Sequence, residues 1–162
     1  MPATYEPIAS VTLGSNQQTV TFTSIPGTFT DLRMVAVLTE SPNLYTLLRF
    51  NSDSGTNYSR TYVRGNGSAA SSARTSNASE GYLDAHGSTP AVNVWDIMSY
   101  ANTNVFKTAL TAVANVGAGE VNRYVYLWRS TSAITSITIS SPNNTSSILS
   151  GSTFSLYGIK AA

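Results

Sequence analysis

Period-two alternation is the feature of this chain that most limits its fold. Leu32, Met34, Ala36 and Leu38 share one parity, and Leu44, Thr46, Leu48 and Phe50 share another. Val121, Val125 and Leu127 oppose Tyr124, Tyr126 and Trp128, and Phe154 and Leu156 oppose Tyr157 and Ile159. Alternate side chains of a strand point to opposite faces, so each run reads as a strand with two distinct sides. The spacing predicts strands over 8–13, 18–23, 31–39, 44–50, 58–64, 91–100, 105–114, 121–129, 134–140 and 153–159. Turn chemistry separates them: Gly14-Ser15-Asn16, Ile25-Pro26-Gly27, Ser41-Pro42-Asn43, Asn102-Thr103-Asn104 and Ser141-Pro142-Asn143-Asn144. Residues 105–114 also fit a helical stripe through Val105, Phe106, Ala109, Leu110 and Val113. Their β-branched content and the preceding turn favour a strand.

Many short strands at regular spacing argue for an all-β sandwich or barrel. The 162 residues suit one domain with its own core, and no linker divides them. Residues 64–80, from Arg64-Gly65-Asn66-Gly67-Ser68 to Ser79-Glu80, are small and polar. They have little to bury and are expected to form a long exposed loop.

Composition decides what such a domain can touch. Only 10% of residues are charged, while 24 Ser, 21 Thr and 13 Asn supply hydroxyl and amide polarity. Nine Lys and Arg against eight Asp and Glu give no basic face for a nucleic-acid backbone. No apolar run approaches the roughly 18 residues that span a bilayer, so no membrane partner is expected. Met1–Tyr5 lacks a basic stretch followed by an apolar one, so assembly without export is expected. With no cysteine there is neither a disulfide framework nor a thiolate metal site.

Signals for chemistry are weak. His86 is the only histidine, with Asp84 two residues before it; serine is abundant, but no Gly-x-Ser-x-Gly elbow accompanies them. Glu6, Asp31, Glu40, Asp53, Glu80, Asp84, Asp96 and Glu120 are scattered singly. A glycosidase pair would have to form across strands, and Asp53, Asp84 or Asp96 would be its members to test. Asn51-Ser52-Asp53-Ser54-Gly55-Thr56-Asn57 resembles half of a calcium loop, but Tyr62 stands where the closing Glu belongs. An Asx-type turn with Gly55 in a left-handed conformation is the simpler expectation. Asn57-Tyr58-Ser59 matches a glycosylation sequon, as chance allows in a chain this rich in Asn and Ser. The chain is therefore expected to be no enzyme and to need no cofactor or metal.

Tyr124, Tyr126 and Trp128 share one face of a strand, and Trp95 lies on another long run. Such a face serves as core, as oligomer packing or as a sugar-binding ladder. Both parities of 121–129 and of 31–39 are apolar, so one of the two faces is left for a partner, a cover or water. Trp95, Tyr124, Tyr126 and Trp128 are the candidate interface anchors.

Four blocks carry a resemblance. They are Phe22-Thr23-Ser24-Ile25-Pro26-Gly27-Thr28-Phe29-Thr30-Asp31-Leu32 and Phe50-Asn51-Ser52-Asp53-Ser54-Gly55-Thr56-Asn57-Tyr58-Ser59 in the first half. In the second are Trp128-Arg129-Ser130-Thr131-Ser132-Ala133-Ile134-Thr135-Ser136-Ile137-Thr138-Ile139 and Gly151-Ser152-Thr153-Phe154-Ser155-Leu156-Tyr157-Gly158-Ile159. In order and spacing the chain resembles small virion structural proteins of tailed bacteriophages of marine or cyanobacterial type. The resemblance implies an all-β, two-sheet antiparallel β-sandwich of jelly-roll type without catalytic residues. It implies a part of the phage particle, on the head or in the tail and fibre. One compact domain with no shaft-forming repeat favours the head: a capsid decoration or cement protein of the virion, expected as a homotrimer that clamps neighbouring major capsid subunits. The alternative is a tail or fibre component that binds a host receptor or surface glycan.

Overall fold

A computed structural model of the chain describes residues 4–41, 45–83, 89–143 and 147–160; among them there is no helix. The described strands are β1 (Tyr5–Thr12), β2 (Thr19–Phe22), β3 (Asp31–Leu38), β4 (Glu40–Ser41), β5 (Thr46–Phe50), β6 (Tyr58–Gly65) and β7 (Ala70–Ala78). They continue as β8 (Gly81–Leu83), β9 (Ala91–Met98), β10 (Lys107–Asn115), β11 (Glu120–Trp128), β12 (Ile137–Ser140), β13 (Ser147–Ile148) and β14 (Thr153–Ile159). Every ladder among them is antiparallel. Eight strands form one sheet in the order β1-β14-β3-β9-β10-β11-β6-β7, four form a second in the order β2-β12-β5-β8, and β4 pairs with β13.

The alternation seen in the sequence explains why these segments pair and what they bury. In β3, Leu32, Met34, Ala36 and Leu38 are wholly buried, while the residues between them are half-exposed. One core joins the two larger sheets: Leu32, Met34, Trp95, Ile97 and Leu156 from the first, Val20, Phe22, Leu48, Phe50, Ile137 and Ile139 from the second. Each fully buried aliphatic side chain contributes about 1.5–3 kcal/mol.

All ten expected strands are present, shifted by a few residues at their ends. In 105–114 the period of two prevails over the helical stripe: β10 turns Ala109, Thr111 and Val113 inward and exposes Leu110 and Ala114. Lys107 begins that strand facing inward. It is only 1% exposed, and its Nζ donates to the carbonyls of Asn102, Val105 and Thr131. Burial pushes its pKa below the usual lysine value.

Residues 64–80 are not the long loop expected from their composition. They form most of a hairpin, β6 with β7, paired from Gly65↔Ala70 to Tyr58↔Ala78. Nearly all of β7 is exposed. Ladder hydrogen bonds satisfy a backbone whether or not its side chains have anything to bury. The turn is set locally. Asn66 Oδ1 accepts from the amides of Ser68 and Ala69, and Gly67 takes φ +83°. The two edges of the large sheet differ. At β1, Pro7 offers no N–H and the register slips between Pro7 and Ala9, which blunts the edge. No proline interrupts β7.

Candidate functional site

The four aromatic candidates are core residues. Trp95, Tyr124, Tyr126 and Trp128 are 1%, 8%, 2% and 3% exposed. Trp95 stacks on Tyr126 with centroids 4.4 Å apart, and Tyr126 stacks on Tyr124 at 5.5 Å. Trp128 lies against Phe50 at 5.5 Å and Tyr58 at 6.4 Å. Their polar ends are engaged inside the fold: Tyr126 Oη donates to the Tyr82 carbonyl at 3.0 Å, and Trp128 Nε1 to Asp53 Oδ2 at 2.7 Å. They neither form an exposed sugar ladder nor reach a partner as anchors. With both parities of β11 apolar, the face carrying the larger aromatic area is the one turned inward, where burial gains most.

The opposite parity is the candidate site. Val121, Val63, Val125 and Leu110 are 67%, 58%, 49% and 48% exposed. Strand register sets them in rows across the large sheet. One row runs Val37–Val92–Ala114–Val121–Gly65, the next Val35–Val94–Ala112–Arg123–Val63, the next Arg33–Asp96–Leu110–Val125–Thr61. Two adjoining troughs of about 670 and 400 Å³ lie on this face. The first is bounded by valines of β6, β9 and β11 and alanines of β10. Arg123 stands within both, and among the described residues no ion pair engages it. At the margin Arg33 Nε and Nη2 grip both oxygens of Asp96, and this hydrogen bonding raises the guanidinium pKa. An apolar centre inside a polar margin is the anatomy of a protein interface. A monomer rarely leaves so continuous an apolar face in water. The sequence signalled this face only in the double apolarity of 31–39 and 121–129. Val63, Val92 and Leu110 were not legible as part of it, because register, not sequence, brings them together.

The segment 51–57 is an Asx-type turn. Asp53 Oδ1 accepts from the Gly55 amide at 2.8 Å, and Oδ2 from Asn57 Nδ2 at 2.9 Å as well as from Trp128. Burial works against the Asp53 charge, but the donors from Trp128, Asn57 and Gly55 outweigh it and hold the carboxyl below its usual range. N–H groups thus occupy the oxygens a cation would need. The left-handed residues are Asn51 (φ 50°) and Ser52 (φ 56°), not Gly55 as expected. Gly55 is required for space: a Cβ there would sit 3.0 Å from Asn57 Nδ2 and 3.1 Å from Asp53 Oδ1. Asn51 ties the turn to the approach to β12, donating to the Ala133 carbonyl and accepting from the Thr135 and Ser136 amides.

Asp84 and His86 lie outside the described residues. The other carboxylates are occupied separately. Glu6 pairs with Lys160, Glu80 with Arg49, Glu120 with Arg64 and Asp96 with Arg33, while Asp31 accepts from the Ser99 amide. Among the described residues no three acidic or histidine side chains gather as a metal site would require. No protein-family model matches the chain, and no curated protein is similar to it.

Proposed function

We propose that this chain is a structural protein of a tailed-bacteriophage virion. In this reading it is a capsid decoration or cement protein that assembles in the host bacterial cytoplasm as a homotrimer and grips neighbouring major capsid subunits. It works by adhesion and carries out no reaction. The observation that carries the reading is the apolar outer face of the eight-stranded sheet, on a chain with only 10% charged residues. Trimer contact through that face buries Val63, Val121, Val125 and Leu110. The stabilisation is about 25 cal/mol per Å² before association costs are deducted.

The proposed fold is a two-sheet jelly-roll sandwich, and strand order supports it. The eight strands β1, β2, β3, β5, β8, β9, β12 and β14, taken in sequence, fall into the orders first-eighth-third-sixth and second-seventh-fourth-fifth. That is the order of two interlocked Greek keys. The hairpins β10–β11 and β6–β7 then extend the first of these sheets. The resemblance of the four sequence blocks to small phage virion proteins points the same way. Quantitative mass spectrometry of purified particles tests the proposal. Hundreds of copies per particle are expected for a head protein. A few dozen or fewer would move the chain to the tail or fibre, and absence from the particle would overturn the reading.

A further inference from the structure

The eight-stranded sheet is twice as wide as the four-stranded one, whose edge strand β8 has only three residues. Among the described residues, no strand of the four-stranded sheet is as long as β11 or β6. On β11 the core-side face carries the core residues Tyr124 and Tyr126, but on β6 beyond Tyr58 it carries arginine and tyrosine. Arg60, Tyr62 and Arg64 alternate along β6 and pair across to Tyr126, Tyr124 and Asn122 of β11. Tyr45, just before β5, and Tyr82, the middle residue of β8, line the other side. Between them is a cleft of about 140 Å³.

We propose that this cleft binds the carboxylate-bearing sugar ring of an acidic saccharide. It goes beyond the structural role above and does not depend on it. Tyr45 meets Tyr82 edge to face at 4.5 Å, and Tyr62 lies 5.4 Å from Tyr124. Tyrosine rings offer an apolar face to the C–H side of a pyranose and a hydroxyl to its oxygens. The guanidinium of Arg60 sits over the Tyr82 ring, 3.8 Å from its centroid, and so is held in place without an ion pair among the described residues. Arg64 is 45% exposed and its contact with Glu120 is 3.6 Å, too long for a hydrogen bond. A ligand carboxylate takes that arginine with a shorter, charge-assisted bond. Charge and size select the class. Glu80, hydrogen-bonded to the Tyr82 side chain, is paired with Arg49, so three arginines against Glu80 and Glu120 leave one net positive charge, enough for one carboxylate but not for a polyphosphate backbone. The volume is well below the roughly 300–1,000 Å³ of enclosed small-molecule sites, which suits one ring of a chain that continues into solvent.

The test is an NMR titration of the whole chain with tetramers of galacturonate and of mannuronate, each beside its neutral tetramer. Shifts confined to Arg60, Tyr62, Arg64 and Tyr82, with about tenfold preference for a uronate, are expected. Arg64→Gln, an exposed change, lowers uronate affinity about tenfold without altering the thermal midpoint. No binding of either uronate at 10 mM (about ten times the weakest affinity useful to a surface glycan site) overturns the proposal. So does equal binding of neutral tetramers, affinity unchanged by Arg64→Gln, or tighter binding of a thymidine tetranucleotide.

Discussion

Glu40 shows how a single buried group makes stability depend on pH. It is wholly buried, with Oε2 accepting from Thr46 Oγ1 at 2.9 Å. Burial raises its pKa above the usual glutamate value, and the Thr46 hydrogen bond offsets this only in part. The folded state therefore holds that proton more tightly than the unfolded one. Stability falls as pH rises from about 4.5 through the folded value, and the cost is absent below 4.5. Glu40→Gln should gain about 1–2 kcal/mol at pH 7 and nothing at pH 4, read from urea midpoints at the two pH values. Gly158 makes the opposite point about space. A Cβ there would lie 2.3 Å from Phe29 Cγ, so Gly158→Ala should cost about 1–3 kcal/mol in urea unfolding. Adding Phe29→Leu should recover part of that loss, since the two positions touch. Neither effect is legible in sequence. Nothing around Glu40, Gly158 or the inward-facing Lys107 distinguishes them from exposed residues of the same type.

Strands were readable where side chains alternate, because burial on one face imposes period two whatever the tertiary context. β3 and β11 are of this kind. β7 was not, since Ser71, Ser72, Ala73 and Arg74 carry no hydrophobic alternation and its pairing is a matter of backbone bonds. The local signal was Asn66-Gly67, a dipeptide that favours tight hairpin turns. The two-residue strands β4 and β13 exist only because distant segments meet, and no local pattern marks them. Asn66→Ala removes the acceptor for two turn amides. It should speed amide exchange of residues 70–75 about fivefold, the equivalent of ~1 kcal/mol, while leaving the global urea midpoint unchanged. If exchange in that segment were unaltered, the turn would not be what holds β7 in place.

At the scale of the whole molecule, the choice of which apolar face to bury decides where the protein can adhere. The aromatic face of β11 faces inward and joins Trp95 in the core, and the valine face stays exposed. The sequence showed that two apolar faces exist, but only strand order and register could show which is covered. The candidate site was therefore half legible: β11 reads as a two-faced strand from its sequence, but its exposed face is the valine one and not the aromatic one. Sedimentation equilibrium of the wild-type chain and of the double variant Val121→Asp, Val125→Asp tests the adhesive role of this face most directly. Both positions are exposed in the single chain, so the substitutions should leave the variant folded, with a cooperative unfolding transition of its own. The expected result is a wild-type mass of three times 17.2 kDa and a folded variant at 17.2 kDa. A wild-type chain that stays monomeric at every concentration, or a variant that remains assembled, contradicts the claim.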